Sequence, residues 1–97
     1  MFEIEYTDSA RQDIKALRKF QQKIILDGID KHLQFEPTVE ALNRKRMHPN
    51  AIADWELRLG KYRVLYNVAE QVKLVAIQAV GFKVRNELYI RGERREL

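Results

Sequence analysis

Residues 55–66, WELRLGKYRVLY, constrain the fold of this chain more than any other segment. Apolar and polar residues alternate on both sides of Gly60 and Lys61, a pattern typical of two half-buried strands joined by a two-residue loop. That loop length determines which residues face each other across the two strands. The expected pairs are Trp55 with Tyr66, Glu56 with Leu65, Leu57 with Val64, Arg58 with Arg63, and Leu59 with Tyr62. The large apolar side chains would therefore share one face.

The same register places Arg58 opposite Arg63 on the other face. Like charges that face each other across an antiparallel pair destabilise it, by roughly 0.2–1 kcal/mol. A sheet that keeps two arginines there is expected to meet an anion on that face. This is the first indication of function.

Composition limits the class of protein. The 97 residues suffice for one core, so we expect a single domain over 1–97, with a mobile end from about residue 91. The absence of cysteine excludes disulfides, a thiolate nucleophile and a cysteine-based zinc site. No apolar run is long enough for a membrane span, and residues 1–5 lack the pattern of a secretion signal. A cytoplasmic protein without a membrane partner is expected.

Basic charge is concentrated in the second part of the sequence. Residues 1–36 carry six Lys/Arg and seven Asp/Glu, a net charge of −1, whereas residues 37–97 carry twelve and seven, a net charge of +5. Clustered basic charge favours a polyanion such as nucleic acid, or an acidic protein partner. A solvated surface explains the same charge equally well, so both interpretations stay open.

The first part of the chain predicts one strand followed by two helices. Residues 2–6 alternate apolar and acidic side chains, as a half-buried strand does. Residues 7–9 offer N-caps for a first helix, and Ser9 stands at capping-box spacing from a glutamine. A second helix is expected from about 21 to 35, where Gly28 would allow the first helix to approach closely.

The second part predicts mainly strands. Residues 38–53 are a connection that leads into the hairpin, and residues 72–80 predict a central strand that is buried on most of both faces. Gly81 interrupts that pattern, and residues 82–89 favour a turn or short helix over a strand. The expected fold is α+β, with an N-terminal strand, a two-helix hairpin and a three-stranded antiparallel meander. The helices would pack on one face of the sheet.

Two segments make the chain similar to a known family. One is the WELRL strand with the following YRVLY strand, and the other runs from Ala79 to Tyr89. The second segment carries Val80 and Gly81 and then Lys83, Arg85, Glu87 and Tyr89. With the strand, helical hairpin and basic lead-in before them, these segments resemble the RelE/ParE family of bacterial toxins. Those proteins are the toxin halves of type II toxin–antitoxin pairs, and the resemblance covers nearly the whole domain.

The resemblance implies one of two activities. RelE-like members bind the ribosomal A site and cut mRNA there without a metal, by attack of the 2′-hydroxyl on the adjacent phosphate. ParE-like members share the fold but inhibit DNA gyrase and are not nucleases. Both are neutralised by a cognate antitoxin, in assemblies that include toxin–antitoxin heterotetramers. The leading hypothesis is a ribosome-dependent mRNA endoribonuclease without cofactors, and the alternatives are a gyrase inhibitor or an inactive binding module.

Metal-free cleavage needs a proton acceptor for the 2′-hydroxyl, cations for the phosphorane and support for the leaving oxygen. The resemblance implies that Arg63 holds the phosphate, Lys83 supports the leaving group and Tyr89 stacks on a base. Arg58 would add a second cation beside Arg63. The remaining candidates for RNA binding are Arg44, Lys45, Arg46, Lys61 and Arg85. For each of these residues, a role in solubility or packing alone is the alternative.

Glu56 departs from the family pattern, because well-studied RelE members place a lysine there. A carboxylate can act as general base on the 2′-hydroxyl, and two nearby arginines would favour its charged form. It can equally be a salt-bridge partner that relieves the repulsion between the arginines. His48 is a further acid/base candidate, whereas His32 is expected on or beside the apolar face of the second helix, as a packed or boundary residue. Two isolated histidines do not make a metal site.

Overall fold

Seven strands and two helices form two layers in the computed structural model, which describes all of residues 1–97. In chain order they are β1 (Glu3–Tyr6), α1 (Asp8–Lys15), α2 (Lys19–Leu33), β2 (Arg44–Arg46), β3 (Trp55–Leu59), β4 (Tyr62–Ala69), β5 (Leu74–Val84), β6 (Glu87–Ile90) and β7 (Glu93–Arg95). The predicted α+β class, with two helices packed on an antiparallel sheet, is confirmed. The sequence did not predict β2, β6 or β7.

The predicted meander β3-β4-β5 is the centre of the sheet. The strand order is β2-β3-β4-β5-β6-β7, with antiparallel neighbours throughout, and β1 lies parallel to β5. All five expected pairs between β3 and β4 are present. Gly60 has a φ of 58°, which favours glycine at the first position of a two-residue hairpin loop. The loop chemistry therefore accounts for the register.

The main core lies between the helices and one face of the sheet. Its strand residues alternate along the chain, because every second side chain of a strand points to the same face. The buried members are Ala10, Ile14, Ile25, Ile29, Leu33, Trp55, Leu57, Tyr62, Val64, Tyr66, Val75, Ile77 and Val80. The buried Tyr66 hydroxyl donates a hydrogen bond to the Pro37 carbonyl at 2.7 Å, which ties the segment after α2 to this core.

A smaller apolar cluster covers part of the opposite face of the sheet. It consists of Ala53, Leu65, Ala79, Leu88 and Ile90. Glu56 and Arg58 alternate with the core residues of β3, and Glu56 pairs with Leu65 of the smaller cluster. We call the sheet surface that carries Glu56, Arg58 and Arg63 the open face. The helices do not cover it.

The helices differ from the prediction in their ends and contacts. Thr7 caps α1 instead of Ser9, since the Thr7 hydroxyl accepts a hydrogen bond from the Ala10 amide at 3.1 Å. The second helix begins and ends two residues earlier than expected. A Cβ on Gly28 would lie 2.5 Å from a terminal methyl of Leu59, so this glycine allows α2 to approach β3 and not α1.

The segment from Gly81 onward also differs from the prediction. Gly81 does not end β5, which continues to Val84, and residues 82–89 contain no helix. A two-residue loop of Arg85 and Asn86, with φ values of 52° and 67°, turns the chain into β6. Residues 93–95, in the stretch expected to be mobile, pair with β6 as β7. Neither helix is long and apolar enough to cross a membrane.

Candidate functional site

Strand alternation distributes the candidate residues between the two faces of the sheet. Arg58 and Arg63 face each other across β3 and β4, as predicted, on the open face. Lys83 lies on the same face, because its partner on β6 is Leu88 of the smaller apolar cluster. The open face therefore brings together four of the five residues predicted to act in chemistry.

Tyr89 is the one that does not join them. It pairs with Phe82, and the two rings are stacked with centroids 6.1 Å apart. Phe82 packs against the main core, so this pair lies on the helix side of the sheet. The Tyr89 hydroxyl donates to a Glu87 carboxylate oxygen at 3.3 Å. Neighbouring residues of a strand point to opposite faces, so Tyr89 cannot share a face with Leu88.

Glu56 is a buried charged residue of the sheet, with 8% of its surface exposed. Its Oε1 atom lies 2.7 Å from Nε of Arg58 and 3.9 Å from Nε of Arg63. A buried carboxylate is costly without such partners. The carboxylate thus separates the two facing arginines, which is the salt-bridge alternative predicted for it.

Arg63 is engaged within its own hairpin. Only 14% of its side chain is exposed, and Nη1 donates to the carbonyl oxygens of Gly60 at 2.6 Å and Tyr62 at 2.9 Å. Burial lowers the pKa of Arg63; the Glu56 carboxylate opposes that effect, and the Arg58 charge adds to it. The hydrogen bonds of this guanidinium within the protein thus come from Nη1, whereas the buried Nε has no hydrogen-bond partner.

The accessible cations of the open face are Arg58, Lys45 and Lys83. The Arg58 side chain is 46% exposed, and Lys45 on β2 is the cross-strand partner of Glu56. A cavity of about 300 Å³ is lined by both Glu56 and Lys83. A second cavity of about 250 Å³ is lined by Lys45, Glu56 and Arg58. Glu56 therefore borders both cavities, and each cavity is also lined by at least one of these three cations.

The other predicted RNA-binding residues have different surroundings. Arg44 donates from Nε to the Val39 carbonyl at 2.9 Å and from Nη1 to the His32 carbonyl at 3.3 Å, which fastens β2 to the end of α2.

Arg46 and Lys61 lie over aromatic rings. The Arg46 guanidinium is 5.6 Å from the centroid of the Trp55 ring, and the Lys61 ammonium is 5.6 Å from that of Tyr62. Arg46 also borders the smaller cavity. Arg85 is exposed in the loop between β5 and β6.

His48 lies at the border of the smaller cavity, beside Glu56 and Arg58. Asn50 holds this loop in place, because its side-chain oxygen accepts from the Ile52 and Ala53 amides at 2.8 and 3.0 Å. Its side-chain nitrogen donates to the His48 carbonyl at 2.8 Å. The lead-in loop thus folds towards the open face.

His32 is half-buried at the end of α2, as the sequence indicated, and burial lowers its pKa. No three His, Asp or Glu side chains cluster closely enough to hold a metal ion.

Residues 94–97 were not among the sequence candidates, yet they line the cavity that contains Glu56 and Lys83. The apolar run of residues 88–90 between polar neighbours is the sequence signal that could have revealed β6, and with it the path of these residues.

Comparison with protein families decides the identity. The family model of the ParE toxin of type II toxin–antitoxin systems (parDE) matches residues 4–86. This chain belongs to that toxin family. The resemblance to RelE/ParE toxins, which rested on the strand motifs, is confirmed. No curated protein matches the sequence of this toxin.

Two solved structures share the fold of the toxin. One is the RelBE2 toxin–antitoxin complex of Mycobacterium tuberculosis, with a TM-score of 0.73 and 22% identity over 84% of this chain and 98% of that one. The other is the archaeal RelE–RelB complex of Pyrococcus horikoshii OT3, with a TM-score of 0.68 and 22% identity over 87% of this chain and 97% of that one. At this identity the two relatives establish the fold alone.

Proposed function

We propose that this toxin acts in the cytoplasm on RNA, as a ribosome-dependent mRNA endoribonuclease that uses 2′-hydroxyl attack without a metal. The observation that supports this best is the cavity of about 300 Å³ lined by both Glu56 and Lys83. A carboxylate and an amine at one cavity supply a proton acceptor and a cation, the two kinds of group that the reaction needs most. Arg58 and Lys45 add accessible charge for neighbouring phosphates.

The roles differ from those that the resemblance implied. Glu56 would accept the proton of the 2′-hydroxyl once substrate draws Arg58 towards a phosphate. Lys83 would stabilise the phosphorane and the leaving 5′-oxygen. Arg63, which is engaged by its own hairpin, would position Glu56 and make no primary phosphate contact. Tyr89 is left out of the chemistry, because it lies on the helix side of the sheet.

A cognate antitoxin is the protein partner we infer. Membership of a toxin family of type II systems supports it, and both structural relatives were solved as toxin–antitoxin complexes. An acidic or amphipathic segment would complement the basic open face, in a complex such as a heterotetramer.

Translation-coupled mRNA cleavage tests the activity. The parent is expected to cut mRNA only in the presence of translating ribosomes. Lys83→Ala and Glu56→Gln should each slow cleavage by about 100-fold or more, since each removes a group that acts in the transition state. Lys31→Ala, an exposed lysine on α2, is the matched control and should cut like the parent. Undiminished cleavage by Lys83→Ala would contradict the proposed site.

Gyrase inhibition is the second candidate, because the family model that matches this chain is that of the ParE toxin. The hydrogen bonds of Arg63 to two carbonyl oxygens of its own hairpin also favour it, since they compete with a phosphate contact. A supercoiling assay with purified gyrase and no ribosomes separates the two activities. Inhibition of supercoiling without mRNA cleavage would favour this candidate. Harmless expression of the toxin alone would instead indicate an inactive binding module.

A further inference from the structure

Residues 93–97 lie along the border of the proposed site. Arg94, Arg95, Glu96 and Leu97 all line the cavity that contains Glu56 and Lys83. Leu97 also lines the smaller cavity, next to Arg58. Both cavities that border Glu56 are therefore bounded by this one segment.

The segment is held to the rest of the protein by few interactions. Strand β7 has three residues and pairs only with β6, at the edge of the sheet. One ion pair, Arg94 with Glu87 at 3.3 Å, joins it to β6. The pairs of Arg94 with Glu96 at 3.6 Å and Arg95 with Glu93 at 3.7 Å lie within the segment. Exposed side chains form these pairs, and such pairs contribute little stability. The segment can therefore detach at low cost to the main core.

The loop before the segment is anchored more firmly. Nε of Arg91 lies 3.0 Å from an oxygen of Asp13, whose side chain is only 4% exposed. The other Asp13 oxygen accepts from the Val80 amide at 3.0 Å, which joins α1, β5 and this loop. Arg91 and Gly92 have φ values of 53° and 77°, as a tight two-residue loop requires. A hinge would thus lie after Gly92, between the anchored loop and the weakly held residues 93–97.

We propose that residues 93–97 are an intramolecular strap that closes the site on the open face. RNA and the strap compete for the surface around Glu56 and Lys83, so RNA binds fully only when the strap leaves β6. The inference rests on the proposed function to the extent that it takes RNA as the ligand. It does not require that the RNA be cut.

A reversible disulfide across β6 and β7 tests the strap. Leu88 and Arg95 are cross-strand partners, and such partners lie about 4.5–5.5 Å apart at Cα, which a disulfide can span. The protein has no cysteine, so Leu88→Cys with Arg95→Cys introduces the only two thiols. Oxidation locks the strap and reduction releases it in the same protein. Any effect of losing Leu88 or Arg95 is therefore common to both states.

The affinity for a fluorescent 2′-O-methyl RNA oligonucleotide, which the proposed reaction cannot cut, is the measurement. The oxidised protein should bind at least tenfold more weakly than the reduced protein. The single variant Arg95→Cys is the control, and its affinity should not change with the redox state. Equal affinity in both states of the double variant would overturn the strap.

The strap and the nuclease proposal fail in different ways. Tighter RNA binding on reduction, together with no mRNA cleavage by the parent, would support the strap and reject the nuclease. Cleavage by the parent, together with redox-independent binding by the double variant, would reject the strap alone. A double variant that binds no RNA in either state would overturn the strap as a competitor of RNA.

Discussion

Arg58 and Arg63 face each other across β3 and β4, yet their surroundings differ. Arg58 is half-exposed and holds Glu56 at 2.7 Å, whereas Arg63 is mostly buried and donates to two carbonyl oxygens of its own hairpin. The tight loop at Gly60 leaves these carbonyls close to the Arg63 guanidinium. At this scale, one arginine stabilises the hairpin and the other is available to a ligand.

Arg63→Ala should therefore destabilise the fold. We expect the free energy of unfolding to fall by about 1–3 kcal/mol, because charged hydrogen bonds to two carbonyls are lost and Glu56 keeps only one close cation. Urea unfolding followed by circular dichroism measures it. Arg11→Ala, which removes only an exposed pair with Asp8, is the control and should change stability by less than about 0.5 kcal/mol. A loss for Arg63→Ala no larger than that of the control would contradict the structural role.

At the level of secondary-structure elements, the pairing of β6 with β5 depends on Gly81. Gly81 of β5 has no side chain, and the Tyr89 carbonyl and Ile90 side chain occupy the space where a Cβ would project. Leu88 and Ile90 can therefore close over the sheet and build the smaller cluster. The glycine that resembles a strand end in the sequence is a site of close approach between strands.

Two glycine substitutions should lower the free energy of unfolding by different amounts. Gly81→Ala places a methyl group against the backbone of β6, which cannot shift without disturbing the ladder, so we expect a loss of about 1–3 kcal/mol. Gly28→Ala meets only the side chain of Leu59, with its terminal methyls at 2.5 and 2.7 Å and Cγ at 3.2 Å, and alanine favours the helix by about 1 kcal/mol. The second variant should stay within about 1 kcal/mol of the parent in urea unfolding. Equal losses of stability in the two variants would contradict this, because they would show that the β6 backbone shifts as easily as the Leu59 side chain.

Over the whole molecule, folding gathers basic charge on the face that the helices leave uncovered. Residues 37–97, with a net charge of +5, supply all of β2 to β7, whereas the helices come from the near-neutral first part. Arg58, Lys45 and Lys83 are far apart in sequence and border two adjoining cavities in the fold. This arrangement fits a polyanion that follows the sheet.

RNA binding should consequently weaken with salt. Three phosphate contacts predict a slope of about −2 for log affinity against log salt concentration on single strands, since each contact contributes about −0.7. Lys45→Ala should make the slope shallower by about 0.7, whereas Lys31→Ala should leave it unchanged. Fluorescence anisotropy measured from about 50 to about 200 mM salt gives the slope for the parent and for each variant. A slope that Lys45→Ala does not change would remove this lysine from the interface.

The sequence by itself determined the features that depend on near neighbours. Alternation and the Gly60 loop specify the β3–β4 register and place Arg58 opposite Arg63, because a two-residue turn permits one pairing. The apolar periodicity of α2 likewise predicts its buried face, through Ile25, Ile29 and Leu33.

Only the tertiary structure decided what depends on contacts between distant segments. Lys83 and Tyr89 fall on opposite faces because β6 folds back against β5, a pairing that the motif spacing does not contain. The burial of Glu56 and the position of residues 94–97 beside it depend on the same sheet edge. The alternation of side chains between the two faces of a strand is a local property, with a period of two residues. Which cations share a cavity depends on the packing of strands that the chain brings together only when it folds.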